Sequence, residues 1–166
     1  MTRKELEDLK PLPFFSGFSE SGFKKFFSTF KKVSLHKGEI LFREGAEGDS
    51  FFIIASGEVI IEKKADKAGR NYKRLAVMNR GGFFGEMAVL ETQPRFAQAR
   101  AGQDTELFEL SRRLLLDFIK ECPEEGAGLL IEILRVILAR LRHTSNELMA
   151  AHGFMEVLAQ YKCRKK

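Results

Sequence analysis

A chain of 166 residues, 44% hydrophobic and 31% charged, has the length and balance of one globular domain with its own core. That composition excludes a disordered polymer, and two cysteines, Cys122 and Cys163, exclude a disulfide framework or a metal knuckle. The net charge of +5 permits weak attraction to nucleic acid or an anionic membrane and establishes neither.

Residues 3–10 read as a helical turn or two, stopped by Pro11 and Pro13. No apolar signal segment stands in residues 1–25. Ser19-Glu20-Ser21 caps a second helix that runs to about Phe30, with Phe23, Phe26, Phe27 and Phe30 at helical spacing. Phe occurs 16 times and Trp never, and this N-terminal cluster suggests short helices packed onto a sheet. From Val33 the period changes to alternation, through Val33 and Leu35, Ile40 and Phe42, Phe52 and Ile54, and Val59 and Ile61. Gly38, Gly45, Gly48, Gly57, Gly81 and Gly82 punctuate these strands at the spacing of turns in a small barrel or roll. A polar hairpin loop over 65–71 leads to a strand over 72–78, and strands over 95–101 and 106–110 close the β region.

The helical period returns at Ser111, which caps a short helix with Leu114, Leu115, Phe118 and Ile119 on one face. Pro123 suits the first turn of a long helix. Along it Ala127, Leu130, Leu134, Ile137, Leu141, Thr144 and Leu148 recur at steps of three and four, a coiled-coil period. Leu129, Ile133 and Val136 make a second stripe, so one stripe can cover the sheet while the other meets a partner helix. A single broad stripe against one core is the alternative. The apolar run 129–141 is broken by Glu132, Arg135 and Arg140 and is too short to span a bilayer. His36, His143 and His152 are scattered and form neither a metal site nor a triad. No catalytic apparatus and no metal site is legible.

The most specific stretch is GFFGEMAVLETQPRFAQARA, residues 82–101. It sets Gly85-Glu86 at a helix start and Pro94-Arg95 nine residues beyond. Free backbone N–H groups at a helix N-terminus plus one fixed guanidinium suit a small anion. Glu86 would repel a bare phosphate, so it makes sense as the grip on an uncharged part of the same ligand, such as a sugar hydroxyl. That combination describes a nucleotide.

The stretch resembles the phosphate-binding cassette of cyclic nucleotide-binding domains, as in the catabolite activator protein, regulatory subunits of cAMP-dependent kinase and cyclic-nucleotide-gated channels. Phe84-Gly85-Glu86-Met87-Ala88-Val89, a loop over 90–93, then Pro94-Arg95-Phe96-Ala97 follow that pattern. Lys37-Gly38-Glu39, Phe42-Arg43-Glu44-Gly45, Gly48-Asp49-Ser50 and Ser56-Gly57-Glu58-Val59 extend the likeness over about residues 10–145. The resemblance implies an α+β, mostly β fold: a double-stranded β-helix, or jelly-roll-like β-roll, with N-terminal helices and C-terminal hinge and long helices. It implies one binding domain over 1–150, with helices in 1–30, the roll in 31–110 and helices in 111–150, followed by a basic tail over 151–166.

The same resemblance implies a ligand, cAMP or cGMP, with no metal. The amides of Glu86, Met87 and Ala88 face the cyclic phosphate, Gly85 permits close approach, Arg95 neutralises the charge through a fork that Lys lacks, and Glu86 accepts from the ribose 2′-hydroxyl. Phe84, Phe96 and Ala97 flank these groups, and Leu75 and Val77 reach the base. Phe96 stands where the family has Ala, Ser or Thr, and Gln98 where it has Thr or Ser. With no Thr or Ser after Arg95, nothing argues for guanine, which favours cAMP. The expected function is a cytoplasmic, non-enzymatic sensor that relays binding through its C-terminal helices to an unknown downstream protein, as a homodimer joined by the long helix. Too few residues follow that helix for a helix-turn-helix module, so sequence-specific DNA binding is not expected. The alternative is a degenerate, ligand-free domain used for dimerisation or docking.

Overall fold

The Phe-rich start folds as a 3-10 turn over Pro13–Phe15 and helix α1, Glu20–Ser28. In this computed structural model residues 9–15, 17–66 and 71–163 are described. The helical turns expected over 3–10 therefore lie almost wholly outside the described residues, as do loop positions 67–70 and Arg164, Lys165 and Lys166. Ser19 caps α1 by accepting the Gly22 N–H at 3.0 Å, and the helix stops two residues short of Phe30. Its Phe23, Phe26 and Phe27 are buried.

Eight strands follow: β1 Lys31–Leu35, β2 Ile40–Phe42, β3 Ser50–Ser56, β4 Glu58–Lys64, β5 Tyr72–Asn79, β6 Phe83–Phe84, β7 Gln98–Ala101 and β8 Thr105–Ser111. They form two four-stranded sheets, ordered β1-β8-β3-β6 and β2-β7-β4-β5, with every pairing antiparallel. Strand β3 shows why the roll needs two cores. Its Phe52 and Ile54 point inward to Leu35, Val59, Phe84, Ala99, Ala101 and Leu107. Its Phe51 and Ile53 face the other way, into a layer built with Phe26, Phe108, Phe118, Leu129 and Ile133. A strand covered on both faces carries an unbroken apolar run instead of an alternating one, which is what 51–55 supplies. Gly57 turns β3 into β4 at φ +89, and a Cβ there would lie 2.4 Å from the Asp104 carbonyl oxygen.

The strand expected over 95–101 starts only at Gln98. Residues ahead of it pair with a turn instead: the Gly45 N–H donates to the Arg95 carbonyl, and the Arg95 N–H to the Ala46 carbonyl, both at 2.8 Å. Between β6 and β7 the chain makes helix α2, Glu86–Glu91, and after β8 come α3, Arg112–Glu121, and α4, Pro123–Cys163. Ser111 caps α3 through the Leu114 N–H. Helix α4 runs through the residues assigned to a basic tail from 151, so that segment is helical as far as Cys163.

The two stripes of α4 separate as their spacing suggests. Leu129 and Ile133 are buried in the helical core, with Val136 and Ile137 packed against it. Leu130, Leu134, Leu141 and Leu148 stay exposed. Beyond Arg140 every described side chain of α4 is exposed, so this part of the helix stands clear of the roll over about 30 Å at 1.5 Å per residue.

Phe26 is the hub of the helical core, fully buried and with its ring centroid 4.6 Å from that of Phe118 and 4.9 Å from that of Phe30. Phe26→Ala is expected to lower unfolding free energy by about 3–5 kcal/mol in a urea titration, since the hole is walled by rings that cannot collapse into it.

Candidate functional site

Arg95 lies at the bottom of the cassette and is only 5% exposed. Its Nη1 donates to the Ser50 carbonyl at 2.6 Å and the Gly85 carbonyl at 3.3 Å, and its Nη2 to Ser50 Oγ at 3.2 Å. Ser50 Oγ passes the polarity on, donating to Glu109 at 2.8 Å. The guanidinium stacks on Phe42, 4.2 Å from the ring centroid. Two glycines make room for it: a Cβ at Gly48 would sit 2.5 Å from Nε, and one at Gly85 would sit 2.8 Å from Nη1. Among the described residues no carboxylate lies within ion-pair distance, and Nε, buried, has no hydrogen-bond partner. Burial pushes the guanidinium pKa down, against the opposing pull of Asp49 and Glu109. A buried cation held by dipoles and rings, with a donor unused, is set up to receive an anion.

Gly85 precedes α2 in the left-handed conformation, φ +84, which turns the chain from β6 into the helix. The first amides of α2 have no intrahelical acceptor. Glu86, the first residue, is buried, and its carboxylate is already engaged: Arg140 of α4 donates to it from Nη1 at 2.8 Å. Arg140 also donates to the Phe83 carbonyl, lies over the Phe83 ring, and places Nη2 3.9 Å from Met78 Sδ. The long helix is thereby tied to the same acid that the sequence assigns to a sugar hydroxyl.

The remaining expected residues divide. Ala88 and Ala97 are buried close to this cluster's elements, and Met87 is exposed. The Phe84 side chain is a core residue, stacked 5.4 Å from Phe52, so only its backbone belongs to the cassette. Leu75 and Val77 are 47% and 39% exposed. Leu75 is the extra residue of a bulge, since Ile61 pairs with Ala76 and Glu62 with Arg74. Met78, one position on, is the β5 side chain that packs inward and meets Arg140. Phe96 is 52% exposed and does not fill the interior; Lys63 Nζ sits 3.4 Å above its ring. A groove of about 520 Å³ runs beside α2, lined by Glu47, Gly48, Asp49, Ala88, Thr92, Gln93 and Pro94. Of the expected residues it includes only Ala88.

Sequence reasoning missed Ser50, Phe42, Met78 and Arg140 as partners in the site. Arg140 left a signal, a cation interrupting an otherwise apolar helix face. The others sit on strands whose inward side chains look like any core residue.

Gln98 belongs to a separate buried network. It donates to Glu62 at 2.8 Å, while Arg100 grips the same carboxylate with Nε at 3.1 Å and Nη2 at 3.2 Å. This ties β7 to β4 through side chains as well as backbone.

A β-roll carrying a buried guanidinium beneath a Gly-Glu helix start defines a class of ligand-sensing domain. Residues 32–122 match the family described as the cyclic nucleotide-binding domain, and the chain belongs to that family. It is 30% identical over 134 residues to a CRP-like cAMP-activated global transcriptional regulator of Mycobacterium tuberculosis, covering 81% of this chain and 57% of that one. To a cyclic AMP receptor protein of Thermus thermophilus it is 32% identical over 141 residues, covering 84% and 62%. The chain thus spans under two thirds of these relatives. Among solved structures, a cyclic nucleotide-binding domain from Methylobacillus flagellatus superposes with a TM-score of 0.76 at 26% identity, covering 88% of this chain and 82% of that one. Among the described residues no helix is long and apolar enough to cross a membrane.

The hydrogen bond from Arg100 holds the Glu62 carboxyl below its ordinary pKa, helped by Gln98 and opposed by burial. A depressed folded-state pKa contributes stability that is fully present above the unfolded value of about 4.3 and is lost as pH falls through the folded one. Urea unfolding measured across that range is expected to show a shallower acid loss for Glu62→Gln than for the wild type.

Proposed function

We propose that this chain binds a cyclic nucleotide, cAMP by preference, and passes the event to its long helix. One observation carries the reading: among the described residues Arg95 is buried without a carboxylate partner and with an unused Nε–H, in the cassette position of this family. The names of the Mycobacterium and Thermus relatives, cAMP-activated and cyclic AMP receptor, support the choice of ligand. In this reading Arg95 and the amides of Glu86, Met87 and Ala88 hold the cyclic phosphate, next to the amide of Phe96, and Gly85 lets them approach. Glu86 accepts from the ribose 2′-hydroxyl. Met78 and Arg140 bound the space beyond the sugar, a better placement for the base than exposed Leu75 and Val77.

The relay follows from Glu86 having two suitors. Arg140 holds one of its oxygens, so a 2′-hydroxyl arriving on the same carboxylate changes the interaction that ties α4 to the roll. Ligand then shifts the population of helix positions, by no more than its differential affinity for them. The exposed seam of Leu130, Leu134, Leu141 and Leu148 supports a second copy of the helix as the structure that receives the shift. The whole-length relatives' activities are a further step; here the output goes to a partner protein.

Calorimetry with cAMP is expected to show binding by the wild type and a loss of about 2–5 kcal/mol in Arg95→Ala, the effect of removing one side of a buried charge pair. Arg95→Lys keeps the charge without the fork and is expected to remain well below wild type. Equal affinity in folded wild type and Arg95→Ala, checked by circular dichroism, overturns the assignment. In sedimentation velocity the wild type is expected to run as a dimer and Leu141→Glu/Leu148→Glu as a monomer with unchanged helix content.

A further inference from the structure

At its outer end the β4–β5 hairpin gathers cations. Lys63 and Lys64 of β4 stand opposite Lys73 and Tyr72 of β5, and Arg74 follows at once. Like charges directly across an antiparallel pair are destabilising, and Lys63 faces Lys73. Among the described residues, none of these four cations lies within ion-pair distance of a carboxylate. The acids nearby are spent elsewhere: Glu62 on Arg100 and Gln98, Asp66 on the Asn71 N–H, and Glu44 on the Lys64 backbone N–H. Beside the cations lies Phe96, half exposed, with the Lys63 ammonium 3.4 Å over one ring face. The rest of the ring is open.

We infer that this hairpin and Phe96 form a binding surface for a single-stranded polynucleotide, read without sequence preference. Uncompensated lysines next to an exposed aromatic face supply the two things such a strand needs: cations for phosphates and a flat platform for a base. Duplex DNA keeps its bases stacked and offers the ring nothing. An anionic membrane would use the cations, but the described residues past the strand ends, Ala65, Asp66 and Asn71, offer one small side chain, an acid and an amide and no large apolar group to insert. The surface is distinct from the Arg95 pocket, since the Phe96 ring lies outside it and only the Phe96 amide is assigned to the nucleotide.

Fluorescence anisotropy with a labelled oligothymidylate tests this. The wild type is expected to bind with log K falling against log salt at a slope of about −2 to −3, for three or four neutralised phosphates on a single strand. Lys63→Glu/Lys73→Glu is expected to weaken binding by about ten-fold or more, and so is Lys64→Glu/Arg74→Glu, which covers failure of the first pair to fold. Phe96→Ala is expected to weaken binding by about ten-fold with the salt slope unchanged, the mark of lost stacking. Lys24→Glu/Lys37→Glu removes the same charge far from the hairpin and is expected to stay within about two-fold of wild type, unless general attraction dominates. Equal losses in that control, no loss in either hairpin pair, or binding to phosphatidylserine vesicles without binding to the oligonucleotide each overturn the proposal. Retained cAMP binding in the hairpin variants separates its failure from failure of the Arg95 reading.

Discussion

One guanidinium, taken out of water with no carboxylate in ion-pair distance among the described residues, constrains the rest of this domain. An ion the size of a guanidinium costs several kcal/mol to bury even after the protein relaxes. The structure offsets that with two carbonyl oxygens, a hydroxyl and an aromatic face, all aimed at Arg95. Each of those groups is fixed by something larger. The Ser50 carbonyl sits at the start of β3, the Gly85 carbonyl at the entry to α2, and Phe42 at the end of β2. Three separate turns of the roll therefore converge on one side chain. Gly48 and Gly85 are small because the guanidinium occupies the space where their Cβ atoms would go.

The second constraint runs at right angles to the first, from the roll to the helices. Arg140 is 54 residues from Glu86 in sequence and bonded to it in space. A salt bridge only partly shielded from solvent contributes modestly to stability, so its value here is positional. It fixes which turn of α4 lies over the cassette. Ile133 and Leu129, about two and about three turns before Arg140, anchor the same helix to the rings of α1 and α3. Beyond Arg140 every described side chain of α4 is exposed, Leu141 and Leu148 among them. Anchoring at one end and a polar tie at Glu86 fix α4 against the cassette up to Arg140.

How far the sequence revealed this depended on whether local rules decided the outcome. Alternation located β1, β2 and β4, because each has one face against a core, and the Phe52 and Ile54 pair located β3 although its apolar run is unbroken. Capping located α1 and α3, because Ser19 and Ser111 satisfy amides that nothing else reaches. Of the two stripes of α4, Leu129 and Ile133 are buried and Leu130, Leu134, Leu141 and Leu148 exposed, while Ile137, which the spacing groups with the exposed stripe, packs against the helical core. Other features failed the same test. β6 is two residues long and exists only because β3 is beside it. Met78 and not Val77 packs inward from β5, because a bulge at Leu75 resets the alternation of that strand. The helical run to Cys163 was read as a tail because its polar face hides the continuing period. Spacing and the cassette resemblance singled out Glu86 and Arg95, whereas Arg140 needed the tertiary fold to bring it to Glu86.

Two departures from the family pattern, Phe96 and Gln98, have a common physical origin. Both sit on the side of the segment that leads into β7 and faces away from the inner core, while Ala97, Ala99 and Ala101 alternate inward. Side chains on the outer side need not be small. Gln98 is long enough to reach Glu62 on β4, where it completes a carboxylate already gripped by Arg100. A Thr or Ser there would be too short to reach Glu62 and would leave both of its oxygens to Arg100. Phe96 swings toward β4 and is held there by the Lys63 ammonium, not by the pocket. Its amide stays beside Arg95 because the backbone of 95 is pinned from both sides by Gly45 and Ala46. The size of the residue after Arg95 is thus uncoupled from the volume beneath the cassette, and the aromatic ring at that position stays clear of the guanidinium.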